Sequence, residues 1–386
     1  MQKNNIKVTL FGTLPPIKGI SDTCLNQTRE LLKYSKIDFI GFKAIYPEFL
    51  YPGGTKDKSG LFQIDKHYNL KIKNILTWYN PISWIKAGLS VQSKIVHFHW
   101  WTSFLFPVFL TILLINKSRK KILICEVHNV LGHESILLDK FFNKIIFNLA
   151  DCFIVHSKRN KKQLGKHFAI DSQKIKVIPL GALNLFSGKK ISKRQARKQL
   201  NIPFNNKLVL CFGNIRKYKG IDVLINAFVS VVKEIPDAKL LIAGKNWFNW
   251  APFHQLIKKC HLEKNIITHL KFISFSRTNI YFTAADLVVL PYLKFEAQSG
   301  PGRIALAFRK AMIVARVGGL PELVKNKNCV VESNNPKELA KAIVKVLKNE
   351  KLQRELEKDS GDLAKKYSWN KVAKKTINLY INVLNN

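Results

Sequence analysis

Acidic residues are scarce in this chain of 386 residues, which has 25 Asp and Glu against 64 Lys and Arg. The formal net charge is +39, which favours anionic partners: nucleic acid, an anionic membrane surface or phosphorylated substrates. A solvated lysine-rich surface without a partner is the alternative. The basic residues are spread along the whole chain, and no zinc module or aromatic recognition motif accompanies them. Nucleic acid is therefore not an expected partner.

Cysteine pairs and long apolar runs are also missing. The six cysteines lie far apart without a Cys-x-x-Cys motif, and several sit in apolar runs where a buried free thiol is expected. No zinc or disulfide framework is predicted. The longest apolar block, residues 104–115, is shorter than the roughly 20 residues that span a bilayer. Because the first residues also lack signal-peptide organisation, we expect a cytoplasmic protein.

The apolar runs that are present are short, and most end in glycine, histidine or serine. They predict buried strands of an open sheet, each followed by a loop and a helix. The predicted strands include residues 6–11, 122–127, 152–155, 208–212, 239–243, 266–272 and 287–290. The composition becomes basic and polar at residues 184–201, and then the cycle starts again. The sequence therefore predicts an α/β protein with two Rossmann-like domains, residues 1–185 and 186–367.

Residues 287–324 contain the clearest unit of this pattern. The sequence LVVLPYLKFEAQSGPGRIALAFRKAMIVARVGGLPELV predicts a strand, a glycine-rich turn, a helix and a second strand. A ligand of such a βαβ unit binds at the carboxyl edge of the sheet. Backbone N–H groups at the start of the helix suit an anion such as a diphosphate.

A basic loop, GNIRKYKG, follows the predicted strand 208–212. Gly213 permits a tight turn, and Arg216, Lys217 and Lys219 place cations beside the next helix. Arginine can bind a diphosphate through two hydrogen bonds, and lysine acts as a point charge. A solvated basic loop is the alternative. The loop is not a Walker A motif, because Gly-Lys-Ser/Thr does not follow at the required spacing.

The segments GNIRKYKGIDVLINAF and FEAQSGPGRIALAFRKAMIVARVGGLPELV resemble the donor-binding domain of glycosyltransferase family 4. FGTLPPIKGIS, EVHNVLGHE and VIPLG are similar to further segments of that family, so the resemblance extends over nearly the whole chain. It implies the GT-B fold, in which two Rossmann-like domains face each other across a cleft. Residues 1–185 would be the acceptor domain, with helix 368–386 packing back on it. Residues 186–367 would be the nucleotide-sugar donor domain.

The resemblance also implies residue roles. Arg216 and Lys219 would neutralise the leaving nucleoside diphosphate, and His128 would lie beside the transferred sugar. The first loop would approach the sugar phosphate closely through Gly12 and Gly19. The implied catalytic residues are His128, Arg216, Lys219 and Glu296, and the implied donor-binding residues are Gly12, Gly19, Gly213, Gln298, Ser299 and Gly300. No metal is implied, and the sequence offers no Asp-x-Asp pair in a suitable loop.

One departure concerns ribose recognition. Many family members carry a second Glu eight residues after the one matched by Glu296, and here that position is Ile304. Sequences with a Gln-Ser-Gly turn at this place resemble a subset of the family. In them, backbone amides and hydroxyls around Gln298, Ser299 and Gly300 would bind the ribose instead.

The activity expected from this resemblance is transfer of a hexosyl unit from a UDP- or GDP-sugar, without a cofactor. The acceptor would be a hydroxyl of a glycan or lipid-linked glycan in cell-surface polysaccharide or glycolipid synthesis, and configuration would be retained. We expect peripheral contact with an anionic membrane through residues 78–114, on the inner face of the plasma membrane. Two alternatives remain: a GT-B nucleotide-sugar epimerase, and a non-catalytic partner that binds nucleotide sugars.

The sequence VHFHWW holds further polar and aromatic candidates. His97 and His99 flank Phe98 and are expected on opposite faces of a strand, with a core position favoured over a functional one. Trp100 and Trp101 are expected in packing or in an acceptor cleft rather than as a platform for stacking bases.

Overall fold

The computed structural model of the protein describes residues 6–17, 19–47, 56, 67–130, 137–182, 191–295 and 299–385, with the backbone alone at residues 137 and 275. The chain divides into two compact units. Unit 1 comprises Met1–Gly181 and Tyr367–Asn386, and unit 2 comprises Ala182–Lys366. Each unit contains one parallel sheet, as the strand–loop–helix pattern predicts.

Among the described residues, unit 1 forms a seven-stranded sheet of order β3-β2-β1-β4-β5-β6-β7, and every pairing is parallel. The strands are β1 (Ile6–Gly12), β2 (Ser35–Ala44), β3 (Leu70–Thr77), β4 (Ile95–Trp100), β5 (Ile122–Val127), β6 (Cys152–Val155) and β7 (Ile175–Val177). The connecting helices are α1 (Ser21–Leu31), α2 (Pro81–Leu89), α3 (Phe106–Ser118), α4 (Leu137–Leu149) and α5 (Lys158–Phe168). The central strands are buried on both faces, which explains their unbroken apolar runs.

Unit 2 repeats this design with a six-stranded parallel sheet of order β10-β9-β8-β11-β12-β13 in the described part of the chain. Its strands are β8 (Leu208–Phe212), β9 (Lys239–Ala243), β10 (Ile266–His269), β11 (Leu287–Leu290), β12 (Ala311–Ala315) and β13 (Val330–Val331). Its helices are α6 (Lys193–Gln199), α7 (Ile221–Glu234), α8 (Ala251–Lys259), α9 (Phe275–Ala284), α10 (Gly300–Ala307), α11 (Pro336–Lys348) and α12 (Glu350–Lys366). None of the described helices of either unit is long and apolar enough to span a membrane.

The last helix, α13 (Trp369–Asn385), belongs to unit 1. It packs on α1, where the Asn370 amide donates hydrogen bonds to Glu30 Oε2 at 3.3 Å and to the Tyr34 hydroxyl at 3.1 Å. Its buried face contributes Val372, Ile377 and Tyr380, among others, to the core under β1 and β4. Helix α13 therefore completes the core of unit 1 together with β1 and α1.

Sequence and structure differ mainly at exposed elements. The bounds of β5, β6, β8, β9 and β11 match the predicted strands, because these strands are buried and apolar along their length. In contrast β3, at the edge of its sheet, has four exposed residues in a row and gives no continuous apolar signal. The predicted strand 266–272 ends early, at His269.

A buried ion pair joins α6 to the amino-terminal edge of the unit 2 sheet. Asp286, just before β11, accepts from Arg197 Nη2 at 2.7 Å and from the Leu208 N–H at 2.6 Å, and it pairs with Lys193. Burial raises the pKa of Asp286, but the Leu208 N–H and the two cations outweigh it and hold that pKa below its ordinary value. The Asp286 carboxylate thus links α6 to the starts of β8 and β11.

We predict that Asp286→Ala lowers the free energy of unfolding by about 3–5 kcal/mol, because it leaves the Arg197 guanidinium buried without its carboxylate. Chemical denaturation of the full chain measures this change. Asp237→Ala is the control at an exposed carboxylate and should change stability by less than about 0.5 kcal/mol. Equal effects of the two substitutions would contradict the proposed role of the pair.

Candidate functional site

The basic loop of unit 2 is held by two turns that touch through their backbones. Gly213 follows β8 with φ +107°, and its N–H donates to Ala243 O at 2.9 Å. Gly244 follows β9 with φ +149°, and a Cβ there would collide with the carbonyl of Gly213. The Ile215 N–H then donates to Lys245 O at 2.8 Å. Glycine is required at both turns because neither the backbone angle nor the space admits a side chain.

Lys219 is a buried cation at the end of this loop. It lies in a 3-10 turn, Lys217–Lys219, and is only 6% exposed. Its ammonium donates a hydrogen bond to the hydroxyl of Tyr292 and lies 4.0 Å from the centroid of that ring. Burial lowers the pKa of Lys219 to about 8, so the side chain is charged at neutral pH and loses its proton in mild alkali.

The start of α10 lies beside the same lysine. Ser299 caps the helix by accepting from the Gly302 N–H at 3.3 Å, and its hydroxyl is 3.0 Å from the Tyr292 hydroxyl. A Cβ at Gly213 would lie 2.8 Å from Pro301 Cγ and 3.8 Å from Lys219 Nζ. The loop after β8, the buried ammonium and the amino terminus of α10 therefore converge. Such a convergence suits an anion.

Arg216 is oriented by an aromatic ring that the sequence analysis did not single out. Its guanidinium carbon lies 4.3 Å from the centroid of Trp247, and Lys245 Nζ lies 4.8 Å from the same ring. Tyr292 was missed as well. Both aromatic residues lie just beyond the carboxyl ends of strands, β9 and β11, and that position was the available signal.

The ribose hypothesis concerns the turn before α10. Ile304 is 5% exposed, and its hydrocarbon side chain offers no hydrogen-bonding group to a ribose. The Ser299 hydroxyl is engaged by Gly302 and Tyr292, whereas a Cβ at Gly300 would meet no atom within 4 Å. Glu296 and Gln298 lie outside the described residues, and their assignments stay predictions.

Unit 1 carries a second polar cluster, which is buried. Four histidines surround one carboxylate at adjacent strands: His97 and His99 on β4, Glu126 on β5, His128 after β5 and His156 after β6. We call these five residues the histidine cluster. Only His128 was a predicted site residue, and it is 8% exposed. Glu126 was overlooked, although a lone acidic residue in an apolar strand was a usable signal.

Glu126 is the centre of the histidine cluster. Its Oε2 lies 3.0 Å from His97 Nε2 and accepts from Gln27 Nε2 at 2.7 Å. Its Oε1 lies 3.6 Å from His156 Nε2 and 3.9 Å from His128 Nε2. Burial raises the pKa of Glu126, but the surrounding imidazoles outweigh it and hold that pKa well below its ordinary value. The carboxylate is therefore ionised although it is fully enclosed.

The expectation for His97 and His99 was wrong. Residues two apart on a strand point to the same face, and the two rings stack with centroids 5.1 Å apart. His99 Nδ1 lies 3.0 Å from His128 Nε2, and burial lowers the pKa of His99 to about 3, so this imidazole is neutral. The core position expected for these histidines is confirmed, since both are fully buried.

The glycines of the first loop differ in their surroundings. A Cβ at Gly12 would lie 2.8 Å from Cys24 Sγ and 3.1 Å from His99 Cδ2, so packing explains this glycine. Gly19 is exposed with φ +116° and leaves the backbone open to approach. Their donor-binding roles stay predictions. Trp100 is buried and donates to Asn143 Oδ1 at 2.9 Å, as the packing expectation requires.

Comparison with known families agrees with this architecture. The family described as glycosyl transferases group 1 matches residues 192–361, and the family described as Glycosyltransferase Family 4 matches residues 55–182. The first match contains the basic loop and α10, and the second contains the histidine cluster. The chain belongs to the group 1, family 4 glycosyltransferases, and both the family resemblance and the fold class are confirmed.

Individual relatives are distant. A D-inositol 3-phosphate glycosyltransferase of Corynebacterium aurimucosum is 25% identical over 76% of this chain and 73% of its own length. Its counterpart in Corynebacterium glutamicum is 27% identical over 61% of this chain but only 58% of its own length. HepE of Anabaena, solved in complex with UDP-glucose, superposes with a TM-score of 0.73 over 98% of this chain and 100% of that chain. At 16% identity, this last similarity shows the fold alone.

We predict that affinity for a nucleoside diphosphate falls as pH rises through about 8, by up to about tenfold per pH unit. The reason is that the pKa of Lys219 is lowered, so the ammonium is present below that pH and lost above it. Calorimetric titration with UDP or GDP over this range measures the effect. Lys219→Arg keeps its charge and should not show the decline, whereas Lys217→Arg should. The same decline in Lys219→Arg would assign it to another group.

Proposed function

We propose that the protein transfers a hexosyl unit from a UDP- or GDP-sugar to a hydroxyl of a glycan or lipid-linked glycan, with retention of configuration. The observation that carries the proposal is the convergence of the Gly213 turn, the Lys219 ammonium and the amino terminus of α10, with Arg216 in the same loop over the ring of Trp247. Two cations and a helix amino terminus form a site for a diphosphate.

In this mechanism the bond between the anomeric carbon and the diphosphate oxygen breaks, and negative charge grows on that oxygen. Arg216 and the ammonium of Lys219 stabilise the charge, and they act more strongly in the transition state than in the bound donor. Tyr292 positions the ammonium, and Trp247 positions the guanidinium. Because these groups supply fixed positive charge, the proposed transfer needs no metal at the diphosphate.

The choice of substrates rests on the comparisons and on the net charge. The HepE complex with UDP-glucose favours a uridine nucleotide, and the resemblance leaves GDP as the alternative. The relatives named for D-inositol 3-phosphate suggest that an acceptor hydroxyl on a phosphorylated molecule is compatible with this family. A net charge of +39 supports an anionic acceptor here as well. Synthesis of a surface polysaccharide or glycolipid fits such acceptors.

We predict that Arg216→Ala and Lys219→Ala each reduce turnover by about 10²–10³-fold, because each removes charge from the developing oxyanion. Turnover is measured by product analysis with a panel of UDP- and GDP-sugars and acceptors. Lys217→Ala is the matched control, since Lys217 is an exposed cation of the same loop.

Three outcomes would contradict this mechanism. An equal loss in Lys217→Ala would indicate a general charge effect. An isomerised sugar nucleotide formed from donor alone would indicate an epimerase. Nucleotide binding without transfer to any acceptor of the panel would indicate a non-catalytic binding protein.

We also propose that unit 1 contacts an anionic membrane surface through α2 and its surroundings. One face of α2 exposes Ile82, Ile85 and Leu89, at 62%, 45% and 58% of their surface. Their spacing places these side chains in one stripe of the helix. Tyr79, Phe104 and Leu114 are also exposed within residues 78–114. Apolar side chains on a strongly basic protein suit an anionic lipid surface.

We predict that the protein co-sediments with vesicles containing anionic lipid at low salt, and that binding weakens with added salt. The triple variant Ile82→Ser, Ile85→Ser, Leu89→Ser should bind more weakly, because it removes the inserting stripe. Phe204→Ser, at an exposed apolar residue of unit 2, is the control and should leave binding unchanged. Equal binding to neutral vesicles would contradict the electrostatic part of this proposal.

A further inference from the structure

A cavity of about 630 Å³ opens at the amino-terminal edge of the sheet of unit 1, where β5 and β6 begin. Pockets of roughly 300–1,000 Å³ hold small-molecule ligands. Part of the wall is apolar, and the charged part consists of Lys94, Lys117, Lys120, Lys121 and Asp151. We call this cavity the lysine pocket.

The positive charge of the lysine pocket exceeds what its carboxylate can balance. Asp151 is engaged through both oxygens: Oδ2 accepts from the Leu123 N–H at 2.8 Å, and Oδ1 accepts from Lys117 Nζ at 2.5 Å. Among the residues that the structure describes, Lys94, Lys120 and Lys121 form no ion pair. In that part of the chain, three ammonium groups therefore share one cavity without an acidic partner.

Lys121 is the most enclosed of these cations, since it is partly buried and the other lysines of the pocket are exposed. Its ammonium donates to the backbone oxygen of Gln92 at 3.3 Å. Burial, together with the nearby guanidinium of Arg119, lowers the pKa of Lys121. An anion in the pocket would oppose both effects, because it stabilises the charged form of the side chain.

Lys120 has a backbone conformation that lysine rarely adopts. It follows α3 with φ +54°, in the left-handed region. The turn is closed by backbone hydrogen bonds of 3.0 Å, from the Lys120 N–H to Lys117 O and from the Lys121 N–H to Asn116 O. Glycine or asparagine closes such a turn with less strain. The lysine side chain is therefore not needed for the turn, and it lines the pocket instead.

We propose that the lysine pocket binds a phosphomonoester through the ammonium groups of Lys94, Lys120 and Lys121. A phosphomonoester carries a charge of about −1.5 to −2 at neutral pH and offers three acceptor oxygens. Lysine binds such a group as a point charge. The apolar part of the wall contacts the uncharged remainder of the ligand. This ligand is either a soluble phosphorylated molecule or a lipid whose headgroup ends in phosphate.

The lysine pocket is separate from the candidate site residue His128. Ile122 lines the pocket at the start of β5, and His128 follows the other end of the same strand. The six residues of β5, at roughly 3.3 Å per residue, place about 20 Å between them. A ligand of the pocket thus occupies a second site at the opposite edge of the sheet. The inference depends neither on the proposed transfer nor on membrane contact through α2.

Two probes that carry the same phosphomonoester distinguish the two sources. Calorimetric titration of the full chain with glycerol 3-phosphate measures binding in solution, with excess UDP present to occupy the proposed diphosphate site of unit 2. Co-sedimentation measures binding to phosphatidylcholine vesicles that contain phosphatidic acid. Vesicles with phosphatidylglycerol, a phosphodiester, at the same surface charge are the reference and should be bound more weakly if the lipid is the ligand.

Charge variants locate the binding. The variant Lys94→Gln, Lys120→Gln, Lys121→Gln should bind at least one of the two probes at least tenfold more weakly. The probe that is affected identifies the source. The matched control removes three exposed lysines from helices of unit 2, Lys233→Gln, Lys258→Gln and Lys341→Gln, and should bind both probes as the wild type does. Equal weakening in the two variants would indicate attraction by net charge alone and overturn the proposal. Undiminished binding of both probes by the pocket variant would overturn it as well.

A single substitution separates binding from folding. Lys120→Gly relieves the backbone strain, so the melting temperature should stay unchanged or rise. The same variant should bind the probe about threefold more weakly, because it removes one ammonium from the pocket. Wild-type affinity of Lys120→Gly for both probes would contradict the proposal.

Discussion

The candidate diphosphate site depends on a contact between two pieces of backbone without side chains. The turn after β8 and the turn after β9 touch at Gly213 and Gly244, so closely that a single methyl group would separate them. This contact sets the path of the basic loop. The path of the loop in turn places the Arg216 guanidinium over Trp247 and the Lys219 ammonium against Tyr292. The charged groups of the site are therefore positioned by the packing of uncharged backbone.

The two units place opposite charges in their interiors. Unit 1 encloses the carboxylate of Glu126, and unit 2 encloses the ammonium of Lys219. In each case a neighbouring tyrosine hydroxyl takes part: Tyr380 lies 2.6 Å from His97 Nδ1, and Tyr292 accepts from Lys219. A buried charge in a low-dielectric interior acts strongly on a nearby ion of the opposite sign. The same sheet design thus provides one environment suited to a cation and another suited to an anion.

The sequence predicted those strands whose burial makes their local composition apolar. Strands such as β8 and β9 were found with their bounds, because both of their faces are covered and their residues are apolar throughout. The basic loop was found because its charges follow a strand directly. Tyr292 and Trp247 were not found, since a single aromatic residue near a strand end resembles any core residue. Their role depends on side chains that are distant in sequence.

The histidine cluster shows the same limit. His128 was singled out from a family resemblance, but Glu126 lies two residues before it in a strand and the other three histidines belong to other segments. Only the parallel order of β4, β5 and β6 brings them together. In addition, the prediction placed His97 and His99 on opposite faces of one strand, which was wrong. Because side chains two residues apart on a strand share a face, the two histidines predict a polar cluster on one face of β4.

The position of α13 has a consequence for biosynthesis. Gly181 fits against Trp369 without room for a side chain, and Tyr380 closes the core beside His97. These contacts join residues made before unit 2 to residues made after it. Unit 2, which is continuous in sequence, has its whole chain available before unit 1 does. The ribosome therefore delivers the whole of unit 2 while unit 1 still lacks α13. A nascent chain stalled before Tyr367 would hold unit 1 with an open apolar face.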